Sequence, residues 1–157
     1  MGKNLRNWFG RLGAVGAAAV LLATVVGAPA QAATNPYTGA SACSNDFGGS
    51  WSSTTDGHRS LTTPGGAKWG DVYLMYNSAT GYNCVATIKT AFVGTATYIK
   101  AWLQVEGVPA KMDAKNYAYY AAVQLPARGK CVEYWGWVGN AQMDLAGGGR
   151  LEWGNCG

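Results

Sequence analysis

The sequence predicts an all-β domain, a single antiparallel β-sandwich or small barrel of about seven strands with two disulfides. Three observations support this fold class. Short runs of β-branched and aromatic residues alternate with glycine-containing turns along the chain. After Cys43, no segment keeps a helical period for more than two turns. The chain contains four cysteines, an even number that is typical of a small disulfide-linked secreted domain.

Residues 1–32 have the features of a secretory signal peptide. Three basic residues and no acid precede an apolar, alanine-rich run, Ala14–Val26, and Ala30-Gln31-Ala32 matches a small-x-small cleavage site. The apolar run is about 13 residues long, whereas a membrane-spanning helix needs about 20. We therefore expect a cleaved signal rather than an uncleaved anchor, and an extracellular protein without membrane attachment.

Residues 33–157 are predicted to form a single β domain, in which residues 33–42 are a flexible lead-in, polar and rich in turn formers. Three of the 12 basic residues lie in the signal, which leaves nine basic against eight acidic residues. No run of Lys or Arg follows residue 33. The sequence therefore disfavours nucleic acid as a partner.

The first predicted strands are a weak strand and a hairpin. The weak strand lies between Trp51 and Thr62. The hairpin consists of Val72–Tyr76 and Cys84–Lys89, which are rich in strand-forming residues. The turn "NSATG" joins them and places Gly81 where a positive φ is needed.

Two further strands are predicted in the middle of the chain. In "ATYIKAWLQVEG", apolar and polar residues alternate, which is typical of an antiparallel strand with one face exposed to solvent. Its apolar side is Ile99, Ala101, Leu103 and Val105, and its other side is Tyr98, Lys100, Trp102, Gln104 and Glu106. "NYAYYAAVQL" is the next strand, ended by Pro126. A helix over "DAKNYAYYAA" is the local alternative, because alanine favours helices.

The last two strands are "CVEYWGWV", residues 131–138, and a short one at Leu151–Trp153. The glycine-rich "AGGGR" at 146–150 is predicted to be a flexible connection between them. It lacks the G-x-x-x-x-G-K-[ST] motif of a nucleotide-binding loop, and we expect no cofactor.

The strand at 131–138 raises the question of which face is buried. Burying Trp135 and Trp137 would bury Glu133 beside them, and an unpaired buried carboxylate costs far more than an exposed ring. Tyr134 on the opposite face requires only one partner for its hydroxyl. We therefore predict an outward strip of Glu133, Trp135 and Trp137, extended by Trp153 from a paired last strand.

The predicted strand order also suggests a disulfide pairing. If residues 131–138 pair antiparallel with the last strand, Cys131 comes close to Cys156, and Cys43 then lies near Cys84. Sequence alone leaves the other two connectivities open. A zinc site is disfavoured, because the cysteines have no C-x2-4-C spacing.

Residues capable of catalysis are few. His58 lies near Asp56 and several serines, but no G-x-S-x-G motif is present. Glu133 and Glu152 would face each other if the last two strands pair, as a glycoside hydrolase requires of two carboxylates. An exposed sheet face explains both glutamates equally well. The hydrolase therefore remains a minor alternative, and no metal site is predicted.

Several segments resemble one known family. "VYLMYNSATGYNCVATIK", "NYAYYAAV", "ARGKCVEYWGWVG" and the terminal "NCG" are similar to the spore-associated protein A family, small secreted proteins of filamentous actinobacteria. The likeness extends over roughly residues 37–157, and the four cysteines are the residues that map onto it. The resemblance implies an extracellular protein of the spore or cell surface without an assigned activity. The chain departs from the family at "YWGW".

Together these observations predict a secreted, non-catalytic protein associated with the spore or cell surface. Residues 33–157 contain 17 Trp, Tyr and Phe rings, more than one small core can enclose. Tyr and Trp suit contacts with sugars or proteins, so the expected partner is a polymer or protein of the envelope, bound at the tryptophan strip. The alternative is a secreted binding module that acts as an inhibitor or adaptor.

Overall fold

One short helix and eight strands make up residues 33–157, the part of the chain that this computed structural model describes. The signal peptide predicted for residues 1–32 lies outside the described residues. In chain order the elements are α1 (Gly39–Phe47), β1 (Ser52–Thr62), β2 (Lys68–Asn77), β3 (Tyr82–Lys89), β4 (Thr97–Val105), β5 (Val108–Tyr117), β6 (Tyr120–Pro126), β7 (Val132–Gly139) and β8 (Leu145–Gly154).

The eight strands form one antiparallel sheet that is nearly closed into a barrel. The strand order is β5-β4-β7-β8-β1-β2-β3-β6. Most neighbours pair along their length, but β1 and β8 share a single residue pair, Thr62 with Gly147. The predicted all-β class, the antiparallel arrangement and the two disulfides are confirmed.

The predicted hairpin is confirmed as β2 and β3, which pair from Gly70–Lys89 to Asn77–Tyr82. Its turn contains Gly81 at φ 77°, as the sequence predicted. The Gly81 amide donates to the Asn77 carbonyl oxygen at 2.7 Å. A positive φ is accessible to glycine without a steric cost, so this position fixes the register of the hairpin.

The strand count differs from the prediction because "NYAYYAAVQL" is not one strand. It covers the end of β5, a two-residue turn at 118–119, and β6. The helical alternative for this segment is wrong. Most of β5 shows no strand pattern, because Pro109 and several charged residues interrupt any apolar alternation. Those features are tolerated because β5 is an edge strand.

The barrel interior is filled by one face of most strands. Ile99, Ala101, Leu103 and Val105 of β4 are buried there, as their alternation predicted. They pack with Leu61, Val72, Leu74, Val85, Val132, Tyr134 and Val138 in one cluster. Burying each such aliphatic side chain stabilises the fold by about 1.5–3 kcal/mol.

Helix α1 corrects the predicted flexible lead-in. Residues 39–42 of that segment form the first turn of the helix, and Ala42 is fully buried. Thr38 caps the helix, because its hydroxyl accepts from the Ser41 amide while the Ser41 hydroxyl accepts from the Thr38 amide. The lead-in is ordered because α1 buries an apolar side against the outer face of β2, β3 and β6.

Both disulfides have the predicted pairing. Cys43 in α1 is bonded to Cys84 in β3, with Cα atoms 6.2 Å apart. Cys131, just before β7, is bonded to Cys156, just after β8, with Cα atoms 4.0 Å apart. The first bond fixes the helix to the barrel, and the second joins the ends of the last hairpin. Within the described residues, no helix has the length and apolar character needed to cross a membrane.

The side chain of Lys89 is fully buried in the barrel interior, which is unusual for a charged residue. Its ammonium donates to the Thr95 and Tyr117 carbonyl oxygens, at 2.9 and 2.6 Å, and to the Thr97 hydroxyl at 2.7 Å. These contacts connect the end of β3 to the beginning of β4 and the end of β5. Burial lowers the pKa of Lys89 to about 8.

Candidate functional site

The outward face of β7 carries the side chains that the sequence singled out. Glu133, Trp135 and Trp137 are partly exposed, whereas Val132, Tyr134, Gly136 and Val138 between them are buried. The predicted orientation of this strand is confirmed. The two indole rings contact each other, with ring centroids 5.8 Å apart.

Tyr134 shows why this orientation is stable. The Tyr134 hydroxyl, inside the barrel, donates to the Asp56 carbonyl oxygen at 2.9 Å, so no buried polar group is left unpaired there. Burial raises the pKa of Tyr134. The Asp56 carboxylate has a lowered pKa, chiefly because Arg59 hydrogen-bonds to it, with Arg150 as a further partner.

Strand β4 contributes two more residues to the same surface. Trp102 pairs directly with Trp135, and Lys100 pairs directly with Trp137. The Lys100 ammonium lies 4.4 Å from the Trp137 ring centroid, a cation–π contact. We refer to Lys100, Trp102, Glu133, Trp135 and Trp137 as the tryptophan face.

The glycines of β8 make room for these rings. Gly147 pairs with Trp137, and Gly149 pairs with Trp135. A Cβ atom on Gly147 would lie 3.2 Å from Trp135 Nε1, and one on Gly149 would lie 2.8 Å from Trp135 Cε3. The prediction of a flexible connection at 146–150 is therefore wrong. These residues lie in the middle of a strand, and their glycines accept the indole rings of the neighbouring strand.

Trp135 also carries an unsatisfied donor. Its Nε1 is the buried side-chain nitrogen or oxygen within residues 33–157 that has no hydrogen-bond partner. A buried unpaired donor costs about 1–3 kcal/mol, and such a group in a folded protein calls for an explanation. The indole N–H is buried next to Gly147 of the neighbouring strand.

Trp153 stands apart from the other tryptophans. It is 47% exposed and lies in an irregular part of β8, where the register shifts between Val132–Gly154 and Tyr134–Arg150. The Arg150 guanidinium spans this bulge by donating to the Val132 carbonyl oxygen at 3.0 Å. In the described part of the chain, the ring contacts of Trp135 are with Trp137 and not with Trp153. The extension of the strip by Trp153 from the paired last strand stays a prediction.

A groove between the segment 33–40 and strands β1–β3 is the second notable feature. It has a volume of about 640 Å³, and Tyr37, Asp71, Tyr73 and Met75 are among its lining residues. Asp71 Oδ1 lies 2.7 Å from His58 Nε2 and 2.9 Å from Lys68 Nζ. The His58 ring stacks on Tyr73, with centroids 4.7 Å apart.

Among the residues considered for catalysis, His58 and Ser60 both contact Asp71. His58 pairs with Asp71 and not with the neighbouring Asp56, and the Ser60 hydroxyl bonds to Asp71 at 3.4 Å. Glu133 and Glu152 line neither this groove nor a smaller one beside residues 155–157. Within residues 33–157, no three His, Cys, Asp or Glu side chains are grouped to bind a metal ion.

The sequence predicts the outward orientation of Glu133, Trp135 and Trp137, but not which residues lie beside them on the neighbouring strands. Trp102 and Lys100 were placed on the outward side of β4, yet nothing in the sequence indicated that β4 pairs with β7. Strand β8 is the third strand of this surface. The sequence signal for it is the spacing of Gly147 and Gly149, which lie two residues apart and therefore on the same side of a strand.

Comparison with known proteins identifies one relative. Spore-associated protein A of Streptomyces coelicolor is 36% identical over 133 residues, which cover 83% of this chain and 77% of that protein. No family model and no solved structure matches the chain. The identity and coverage agree with the resemblance of the "YNSATGYNCV" hairpin and the cysteine positions. The chain belongs to the spore-associated protein A family.

Proposed function

We propose that this protein is a secreted, non-catalytic component of the spore or cell surface. The name of the relative, Spore-associated protein A, supports a location at the spore. The two disulfides support export, because such bonds persist in oxidising compartments and are rare in the cytosol. The composition of residues 1–32 agrees with a secretory signal.

The tryptophan face is the observation that carries the proposal. Three indole rings lie side by side on two neighbouring strands, partly exposed, on a barrel whose interior is already filled. Outward-facing aromatic clusters are candidate contact sites, and Trp is enriched among residues that dominate binding energy. The partner in this proposal is a polymer or protein of the envelope.

A released binding module is the second candidate, and the same face supports it. A small domain with two disulfides resists unfolding outside the cell, which suits an inhibitor or adaptor equally well. The two candidates differ in whether the protein stays with the cell that produces it.

Fractionation of a producing culture into medium, cell wall and spore washings distinguishes these candidates. We expect the protein in the wall or spore fraction. The double variant Trp135→Ala/Trp137→Ala should shift to the medium, and its retention should fall about tenfold or more. Truncating aromatic hot-spot residues commonly lowers binding affinity by at least that factor.

The matched control is Phe92→Ala, which removes an exposed aromatic ring outside the tryptophan face. This variant should be retained like the unmodified protein. Circular dichroism establishes that each variant is folded. Recovery of the unmodified protein from the medium alone would contradict the surface role, and unchanged retention of the double variant would show that another surface docks.

A further inference from the structure

We propose that the ligand of the tryptophan face is an uncharged polysaccharide, whose sugar rings stack on the indoles. This inference rests on the proposed docking role and specifies the chemistry of the partner. Sugar rings present flat C–H surfaces flanked by hydroxyl groups, so they require an apolar platform beside hydrogen-bonding groups. The tryptophan face provides both.

The charge on the face argues against a charged polymer. Lys100 and Glu133 are its two ionisable residues, and their charges are opposite. The outward neighbours of Trp102 and Lys100 on β5, Met112 and Ala114, are uncharged, and the β8 partners of Trp135 and Trp137 are glycines. A surface with no net charge does not concentrate polyanions or polycations. Apolar stacking and hydrogen bonding therefore remain as the sources of affinity.

The arrangement of the rings suits an extended chain. Trp102 and Trp135 lie opposite each other on neighbouring strands, while Trp137 follows Trp135 two residues along β7. The Trp135 and Trp137 ring centroids are 5.8 Å apart with their planes inclined at 47°, and neighbouring strands are about 4.8 Å apart. A sugar unit of a linear polysaccharide is of similar length, so successive units reach different rings.

The unpaired Trp135 N–H supplies a polar contact for such a ligand. It has no acceptor in the described protein and is itself buried, so the indole ring must turn on ligand binding before this N–H can reach a ligand. A sugar hydroxyl or ring oxygen then accepts the hydrogen bond. Gly147 and Gly149 carry no side chains that would block this edge of the face.

Lys100 distinguishes neutral from anionic ligands. Its ammonium lies over the Trp137 ring, where a sugar must stack, so an uncharged ligand displaces it. An anionic polymer would instead bind to the ammonium. Lys100→Met, which removes the charge and keeps most of the side-chain length, should therefore retain or increase affinity for a neutral polysaccharide and decrease affinity for an anionic one.

The test is a depletion assay with cellulose and chitin as uncharged polysaccharides and cross-linked polygalacturonate as the anionic one, at low and high salt. We expect binding to cellulose or chitin that salt leaves unchanged. It should fall about tenfold or more in Trp135→Ala/Trp137→Ala and stay equal or become tighter in Lys100→Met. Tryptophan fluorescence should shift when a soluble oligosaccharide of the bound polymer is added to the unmodified protein.

Binding restricted to polygalacturonate, or binding that weakens with salt and in Lys100→Met, overturns the inference. So does an absence of binding to all three polymers. Because Lys100→Met leaves every indole in place, it tests the inference even if the double variant does not fold. If surface retention depends on the face while no polysaccharide binds, the ligand class is wrong and the proposed function stands. If polysaccharide binds but retention does not depend on the face, the docking role fails instead.

Discussion

Lys89 shows how much a single residue contributes to the barrel. None of the ion pairs found within residues 33–157 includes it, so its charge is held by carbonyl and hydroxyl oxygens. An ammonium in this position is costly to bury, which is why its pKa falls to about 8. The same contacts hold the beginning of β4 and the end of β5 beside β3.

The pKa of Lys89 predicts how stability depends on pH. Its pKa falls from 10.5 in the unfolded chain to about 8 in the folded protein, so above pH 8 the unfolded state binds more protons. The free energy of unfolding should therefore rise with pH, by about 2 kcal/mol between pH 8 and 10. Tyr120 opposes this above pH 10, because burial raises its folded-state pKa from 10.0 to about 12.

Urea unfolding at successive pH values measures this dependence. The control is Lys89→Met, which keeps a long side chain but cannot titrate, and its unfolding free energy should not rise over the same range. A rise of equal size in Lys89→Met would assign the effect to another group.

At the level of elements, the Cys43–Cys84 bond holds α1 on the barrel. It closes a loop with a sequence separation of 41, for which the chain-entropy relation gives about 4 kcal/mol of stabilisation. Cys43→Ala/Cys84→Ala should lower the free energy of unfolding by about this amount and expose the amides of α1 to hydrogen exchange.

The matched variant is Cys131→Ala/Cys156→Ala. Its loop has a sequence separation of 25, so a similar loss of about 3.5 kcal/mol is expected. In this variant α1 should keep its protection, because its disulfide and the apolar contacts beneath it remain. Equal exchange of α1 in both variants would contradict a local role for Cys43–Cys84.

The elements differ in how far the sequence predicts them. The alternation in β4 and β7 predicted which side chains face inward, because burial of one sheet face imposes a period of two. Edge strand β5 buries little, so its sequence carries no such pattern. The outward orientation of Trp135 and Trp137 could be predicted, but the pairing of Trp102 with Trp135 depends on a strand order that no local pattern encodes.

Besides the open seam between the end strands β5 and β6, the barrel has a weak line between β1 and β8, where a single residue pair joins the strands. On either side, β1–β2 and β7–β8 pair extensively. Fewer shared hydrogen bonds mean that local opening costs less free energy there. Amides of β1 and β8 that face each other across this line should exchange faster than the amides shared by β2 and β3.

Hydrogen exchange followed by NMR or mass spectrometry measures this difference. The hairpin β2–β3 serves as an internal reference in the same sample, because eight residue pairs join its strands. Uniform protection across all strands would indicate that the barrel opens only as a whole.

The near-closure of the barrel also limits how copies of this protein can associate through their strand edges. The two strands at the ends of the sheet, β5 and β6, are consecutive in the chain and are joined by a two-residue turn. Their unpaired backbone groups therefore lie near each other, and the edge of β5 carries Pro109 and lysines that discourage strand addition. Fibre growth by backbone pairing is disfavoured. Any contact between copies of this protein would be made by side chains, and a molecule could form or lose such a contact without refolding.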